Sequence, residues 1–207
     1  MRGQNTVTET KAAPSAEGIA AAARAAAGKT GAKKRGLPPV HLWNPPFCGD
    51  LDMRIARDGT WFYLGTPIGR PELVKLFSTI LRRDGDDYFL VTPVEKVGIT
   101  VDDAPFVGVD FTAAGAGREQ VLTFETNLGE TAVAGPEHPI RVVRDAAGEP
   151  SPYVLIRANL EALIDRKSFY RLVEIGARET IGETEWFGLW SGGEFFPIIE
   201  SRELPED

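Results

Sequence analysis

The alternation of apolar and polar residues predicts two paired strands near residue 55. In "MRIAR" (53–57), Met53 and Ile55 lie on one face of an extended segment, and Arg54 and Ala56 lie on the other. The "DG" at 58–59 is typical of a tight hairpin turn, and the aromatic segment "TWFYLG" (60–65) is typical of a returning strand. This part of the chain is therefore predicted to form a β-hairpin.

An amphipathic helix is predicted directly after the hairpin. Arg70 precedes Pro71, and proline is a favoured first residue of a helix. Apolar residues then recur at helical spacing through "LVKLFSTIL" (73–81). The polar segment "RRDGDD" (82–87) ends the helix, and "YFLV" (88–91) predicts a further strand.

A second copy of this pattern begins 87 residues later, because 53–70 aligns without a gap to "IRVVRDAAGEPSPYVLIR" (140–157). In this copy "YVLI" predicts the second strand, the leucines and isoleucine of 160–164 predict a helix, and "FYRLVEIG" (169–176) follows as a strand. Strand, strand, helix and strand thus occur twice, which indicates an internal repeat. The coinciding residues are Arg54, Arg57, Asp58, Arg70 and Leu73 in the first copy and Arg141, Arg144, Asp145, Arg157 and Leu160 in the second.

The remaining segments predict additional strands. "ITVDDAPFVGVDF" (99–111) and "EQVLTFET" (119–126) flank a glycine-rich hairpin loop, and "ETEWFGLWSGGEFFPI" (183–198) predicts a final aromatic pair around "SGG". The predicted fold class is therefore α+β, with two small domains built from the repeated strand-strand-helix-strand motif. Their sheets are expected to be mainly antiparallel, and each sheet is expected to carry a helix.

The first 36 residues differ in composition from the rest of the chain. Residues 1–36 contain seven Lys and Arg against two acidic residues, many Ala and Gly, and no aromatic residue, so we expect a flexible basic arm. Within the arm, "SAEGIAAAARAAAGK" (15–29) contains strong helix formers and predicts a short, frayed helix. We place the two α+β domains at residues 37–135 and 136–207.

Composition narrows the possible functions. The chain has 207 residues, and its 43% hydrophobic content is enough for a core, but its longest apolar run is interrupted by Arg24 and is too short to cross a membrane. A single cysteine excludes an internal disulfide, and two distant histidines predict no zinc site. The net charge of −7 argues against a general nucleic-acid binder. We therefore expect a cytoplasmic protein with no metal, no cofactor, and neither nucleic acid nor membrane as a partner.

Arginine and aromatic residues of the first copy form the main candidate site. Arg54, Arg57 and Arg70, with Trp61 and Tyr63 nearby, are predicted to form a cationic and aromatic pocket. Such a pocket suits a phosphate, a carboxylate or a nucleotide-like ligand. The arginines recur in the second copy but the tryptophan does not, so the first copy is the place to look for a ligand.

Two acidic segments offer further candidates. Glu95 and Lys96 lie in a turn after an apolar strand, where they can hold a polar ligand or anchor the loop. An enzyme would use Glu95, Asp102 or Asp103 as acid or base. However, consecutive residues of a strand point to opposite faces, so Asp102 and Asp103 serve one site only if the chain turns there. A turn leading into Pro105 is the structural alternative.

Four segments together resemble the bacterial DUF1285 family over about residues 37–200. They are "GTWFYLGTPIGR", "LVKLFSTILRRD", "YFLVTPVEKVGITVDDAPF" and "LTFETNLGE". The resemblance implies a two-domain α+β fold built from repeated motifs and a binding or signalling role, and it supplies no catalytic residues.

The sequence as a whole favours a non-enzymatic module. We expect it to bind a small anionic ligand or a protein partner in a regulatory or signalling role. The first alternative is a structural scaffold that self-associates into a homo-oligomer through its sheet edges, and the second is the acid–base enzyme.

Overall fold

The structure is a computed structural model that describes residues 14–29 and 36–204. Most of the predicted arm, residues 1–13 and 30–35, lies outside these residues. The described helices are α1 (Ala16–Lys29), α2 (Pro71–Thr79) and α3 (Arg166–Glu174). None of them is long and apolar enough to cross a membrane.

Three sheets contain the strands of the described residues, so the predicted α+β class is confirmed. The first sheet consists of β1 (Phe47–Ile55), β2 (Trp61–Tyr63), β3 (Thr66–Pro67), β4 (Leu81–Asp84), β5 (Asp87–Val91) and β6 (Lys96–Val101). The second consists of β7 (Phe106–Ala114), β8 (Val121–Thr126), β9 (Thr131–Val133), β10 (Ile140–Arg144), β11 (Pro150–Arg157) and β12 (Leu160–Ile164). The third consists of β13 (Ala177–Ile181), β14 (Thr184–Ser191) and β15 (Glu194–Glu200).

The chain divides into two compact units. Of the described residues, the first unit contains 14–29, 36–53 and 63–100, and the second contains 54–62 and 101–204. The first sheet has the order β3-β2-β1-β6-β5-β4. In the first unit α2 begins at Pro71, as predicted, and buries Val74 and Phe77.

Helix α1 packs against α2 within the first unit, although the sequence predicted a short, frayed helix in a flexible arm. Its buried face consists of Ile19 and a row of alanines that includes Ala20, Ala23 and Ala26. Alanine side chains are small enough for two helices to approach closely, and they lose no rotamer entropy on burial. A segment without aromatic residues is therefore able to dock.

The second unit contains a mixed sheet with the order β10-β11-β12-β7-β8-β9. Strands β12 and β7 are parallel, and the other neighbours in this sheet pair antiparallel. The sheet therefore contains residues from both sides of the boundary that the sequence analysis placed between 135 and 136. Helix α3 packs against β7 and β14.

Two elements of the second copy differ from the prediction. Leu160, Leu163 and Ile164 form strand β12 rather than a helix, because burial alternates along 160–164 with the two-residue period of a strand. The segment 169–176, predicted as a strand, lies mostly in helix α3.

Local signals explain why α3 forms there. Asp165 caps the helix, since its Oδ1 accepts a hydrogen bond from the Ser168 N–H at 2.7 Å. Phe169 and Leu172 are buried at a spacing of three residues, which puts them on the same face of a helix.

The repeat is real in the backbone, but its register differs from the ungapped alignment. Gly59 and Gly148 both have φ of +84° in the first hairpin turn of each copy, and 89 residues separate them. In the next turn, Leu64 (φ 50°) corresponds to Ala158 (φ 49°), which lies 94 residues later. The separation thus grows along the copies because β11 and β12 are longer than β2 and β3.

The corrected register changes the equivalence of the arginines. Ile80 and Ile175 end α2 and α3 with nearly identical backbone angles and are 95 residues apart. In the same register Arg70, the residue before α2, corresponds to Asp165 before α3, and not to Arg157. The shared arginines therefore do not occupy equivalent positions, and the repeat is one of architecture.

Candidate functional site

Trp61 belongs to the core and not to a ligand-contacting surface. Its side chain is 2% exposed, and it is among the largest fully buried side chains of the described residues. The turn at Asp58 and Gly59 reverses the chain so that the first residue of β2 faces inward. The ring is therefore inaccessible to the predicted ligand in the folded protein.

Arg54 is engaged by two neighbours in the second unit. Its Nη1 donates a hydrogen bond to Asp102 Oδ2 at 2.5 Å, and its guanidinium lies 4.7 Å from the centre of the Phe62 ring. The Asp102 backbone N–H in turn donates to the Ile55 carbonyl at 2.9 Å. Arg54 and Asp102 neutralise each other's charge. Because they are hydrogen-bonded, the arginine also stabilises the chain bend at Asp102.

Arg57 is held by a polar cluster with Asp103, Ser151 and Tyr153. Its Nη2 donates a hydrogen bond to Ser151 Oγ at 2.8 Å. Its Nη1 lies 2.9 Å from Asp103 Oδ2 and forms an ion pair with it, but the geometry of this pair is not that of a hydrogen bond. The Tyr153 hydroxyl donates to Asp103 Oδ1 at 2.7 Å. Burial, and then the Asp103 carboxylate, raise the pKa of Tyr153. Arg57 is still 59% exposed, so the cluster fixes a cation that solvent can reach.

A groove of about 680 Å³ in the second unit has Arg57 on its wall. It is formed by the turn between β10 and β11, the start of β11, the end of β12 and the first turns of α3. Its polar and aromatic lining includes Arg57, Glu149, Ser151, Arg166, Phe169 and Tyr170. Cationic, hydroxyl and aromatic groups therefore converge in one concave surface.

Arg166 is the second cation of this groove. Its Nε donates a hydrogen bond to the Tyr170 hydroxyl at 2.9 Å, which raises the pKa of Arg166. The two residues are four positions apart in α3 and therefore lie on the same helix face. Within the described residues Arg166 forms no ion pair shorter than 4 Å, although the Glu149 carboxylate acts on it electrostatically. Its terminal amino groups are therefore positioned to donate to a ligand.

Two of the acidic residues at the groove are used by the backbone. Asp145 Oδ1 accepts hydrogen bonds from the N–H groups of Ala147 and Glu149, both at 2.9 Å. Asp165 caps α3 as described above. These carboxylates stabilise the turn and the helix start that shape the groove.

Tyr63 and Arg70 come together in the first unit. They line a shallow hollow of about 200 Å³ beside the loop between β3 and α2, and the start of α1 forms the opposite side. The structure thus brings these two predicted site residues into one small surface feature.

The Glu95 backbone and the Lys96 side chain both form contacts within the first unit. The Glu95 N–H donates to Thr92 Oγ1 at 3.2 Å and its carbonyl accepts from the Thr92 N–H at 2.9 Å, which closes the loop. Lys96 Nζ donates to Asp84 Oδ2 at 2.8 Å and lies 3.9 Å from the centre of the Phe89 ring. Burial tends to raise the pKa of Asp84, but hydrogen bonds from Lys96 and Arg82 outweigh it and lower that pKa.

Ser151, Arg166 and Tyr170 of the groove were not predicted from the sequence. Ser151 approaches Arg57 only through strand pairing between distant segments, which leaves no local signal. The i, i+4 pair of Arg166 and Tyr170 would have been visible had the segment been assigned to a helix. Within the described residues, no group of three or more His, Cys, Asp or Glu side chains is arranged to hold a metal ion.

Comparisons with known proteins identify relatives without an assigned activity. Residues 38–104 match the model of the N-terminal domain of DUF1285, a domain of unknown function, and residues 105–198 match that of the DUF1285 C-terminal domain. A crystal structure of a DUF1285 family protein from Silicibacter pomeroyi DSS-3 is 62% identical, with a TM-score of 0.78. The match covers 89% of this chain and 96% of the other.

A DUF1285 family protein from Shewanella baltica OS155 is 31% identical, with a TM-score of 0.48. That match covers 60% of this chain and 91% of the other. No curated protein matches the chain.

Proposed function

The chain belongs to the DUF1285 family, and on that premise we propose that it is a non-enzymatic module that binds a small anionic ligand in the groove of the second unit. The ligand would be held by Arg57, Ser151, Arg166 and Tyr170, in a regulatory or signalling role. Protein binding, self-association and acid–base catalysis are the other roles that the sequence leaves open.

The bonding of Arg166 is the observation that carries this proposal. Its hydrogen-bond acceptor is a neutral tyrosine hydroxyl, so its positive charge is not cancelled by a directly bonded carboxylate. A guanidinium with free terminal amino groups forms paired hydrogen bonds with a carboxylate or a phosphate. The Tyr170 bond holds the group in place, which lowers the entropy cost of binding.

Arg57 adds a second donor that is positioned before any ligand arrives. Asp103 and Ser151 restrain its side chain, while more than half of that side chain remains exposed. An anion between the two arginines would interact with both, and Ser151, whose hydroxyl accepts the Arg57 hydrogen bond, lines the same wall. This arrangement supports recognition of one compact anionic group.

The groove also restricts the size, the apolar part and the total charge of the ligand. A volume of about 680 Å³ lies within the range of small-molecule sites, roughly 300 to 1,000 Å³. Phe169 and Tyr170 provide an aromatic side to it. Carboxylates at Asp145, Glu149 and Asp165 repel highly charged molecules, so we expect one anionic group on an apolar or aromatic body.

Binding is favoured over acid–base catalysis by the state of two of the three predicted carboxylates. Asp102 is paired with Arg54, and Asp103 is bonded to Tyr153 and paired with Arg57. A catalytic carboxylate has to approach a substrate proton closely. Both of these groups are instead turned toward residues of the protein.

A titration followed by ¹H–¹⁵N NMR tests the proposal, with phenyl phosphate as the probe and uncharged phenol as its comparison at constant ionic strength. We expect phenyl phosphate to shift the amide signals of Glu149, Ser151 and residues 163–170, and phenol to shift them much less. Arg166→Gln should weaken binding of phenyl phosphate by about threefold to tenfold, because it removes a charged hydrogen-bond donor.

Two further variants sharpen the result. Lys167→Gln makes the same change of charge next to Arg166 but outside the groove lining, so it should leave the affinity unchanged. Glu149→Gln should strengthen binding, because it removes a carboxylate that competes for Arg166. Equal weakening in Arg166→Gln and Lys167→Gln would show a nonspecific charge effect and would refute the proposed site.

A further inference from the structure

A hollow of about 350 Å³ in the first unit plays no part in the proposed anion site. Strands β1, β5 and β6 form it, and Gly98 is one of its lining residues. A Cβ atom at Gly98 would clash with the Asp50 carboxylate, so the absence of a side chain lets this carboxylate lie against the strand. The hollow therefore depends on a glycine and presents an acidic group.

The wall of the hollow is aromatic. The Phe47 ring is 57% exposed and meets the Phe89 ring edge-on, with 6.2 Å between the ring centres and an angle of 88° between the planes. Exposed phenyl rings offer an electron-rich face to a cation. Phe47 thus has a ring surface that the described packing of the protein leaves open to solvent.

The charges around the hollow favour a positive ligand. Lys96 lies on the Phe89 ring, which shows that this aromatic surface accommodates a cation, and its own charge is balanced by Asp84. Asp50 and Asp87 line the same hollow, and within the described residues neither has a cationic group within 4 Å. Two carboxylates therefore remain beside an exposed ring.

We infer that this hollow binds a small organic cation that carries an amidinium, guanidinium or ammonium group. A flat amidinium or guanidinium group suits the site best. It can donate paired hydrogen bonds to a carboxylate such as Asp50, and it is weakly hydrated enough to stack on Phe47. The cavity holds one such group with a small apolar body.

Benzamidine and benzamide provide a matched pair of probes, because they have nearly the same shape and differ in charge. In a ¹H–¹⁵N NMR titration of the full chain, benzamidine should shift the amide signals of residues 47–50, 87–89 and 96–99. Benzamide should shift them at least fivefold less at the same concentration. Asp50→Asn, which keeps the side-chain shape, should weaken benzamidine binding about fivefold or more.

One control variant and one further test variant separate this site from general attraction to acidic groups. Asp86→Asn removes a fully exposed carboxylate that pairs with Arg83 and does not line the hollow, so benzamidine affinity should stay unchanged. Phe47→Ala should weaken binding without loss of charge. Equal affinities of benzamidine for the wild type and Asp50→Asn, or equal binding of benzamide, would overturn the inference.

Discussion

At the scale of single residues, Trp61 separates a structural role from a binding role. The side chain is 2% exposed, so Trp61→Ala should lower the free energy of unfolding by about 3 to 5 kcal/mol through loss of packing and a residual cavity. Phe62→Ala, at the next and partly exposed position, should cost less. Urea unfolding monitored by circular dichroism measures both changes.

A different result for Trp61→Ala would contradict the structural role of this side chain. If Trp61→Ala kept the wild-type stability but lost affinity for phenyl phosphate, the tryptophan would contact a ligand, as the sequence pattern predicts. The low exposure of the ring would then not indicate a purely structural role.

Tyr153 should show a pH dependence at the alkaline end. Burial and the Asp103 carboxylate raise its pKa above about 10, the ordinary value for tyrosine. In the pH interval above 10 the unfolded chain loses this proton while the folded protein keeps it. The contribution of Tyr153 to stability is therefore complete below pH 10 and declines as the pH rises toward the folded pKa.

Absorbance of tyrosinate in the ultraviolet, followed during an alkaline titration, measures this effect. The difference between the wild type and Tyr153→Phe should show one tyrosine of the four ionising later than a free tyrosine. Asp103→Asn removes the neighbouring negative charge and should therefore lower the pKa of Tyr153. No change in Asp103→Asn would show that Asp103 does not influence this hydroxyl.

At the scale of elements, helix α1 should depend on its buried alanines. Ala23 is 1% exposed, so Ala23→Glu would place a charge in the contact face and should detach the helix. Ala25→Glu adds the same side chain on the exposed face of the same helix, and we expect no effect. Cleavage by trypsin after Arg24 should be clearly faster in Ala23→Glu than in Ala25→Glu. Equal cleavage rates would show that α1 is not docked through this face.

The elements that the sequence predicted correctly are those with strong local signals. Helix α2 has Pro71 at its first position and a regular apolar face, and the hairpin turn has "DG" at 58–59. The errors in the second copy came from the ungapped alignment, which carried the register of the first copy into longer strands. That register placed Leu160 in a helix, although the residues around it alternate in burial as a strand does.

The candidate site was harder to predict than the fold. Arg57 was selected from its local sequence, but its partners Asp103 and Ser151 are 46 and 94 residues further along the chain. Pairing of β11 and β12, together with the start of α3, creates the groove, and no local pattern encodes such a meeting of segments. Trp61 was selected for its chemistry, whereas its burial depends on the packing of the whole unit.

At the scale of the whole molecule, the remaining question is self-association through sheet edges. The second sheet ends in β9 and β10, and the third has β13 at one edge. An exposed strand edge is a template for pairing with another chain, and charged side chains on it oppose that pairing. Strand β9 has three residues, β10 carries Arg141 and Arg144, and β13 carries Arg178 and Glu179.

We therefore predict that the protein sediments as a monomer of 22.5 kDa over a wide concentration range. Its net charge of −7 adds electrostatic repulsion between copies, so dissociation should be most complete at low ionic strength. A concentration-dependent dimer in sedimentation velocity would support the scaffold alternative instead. In that case Ile181→Lys, which charges an exposed apolar residue of β13, should restore the monomer if this edge is the interface, whereas Val133→Lys should do so if the interface is β9.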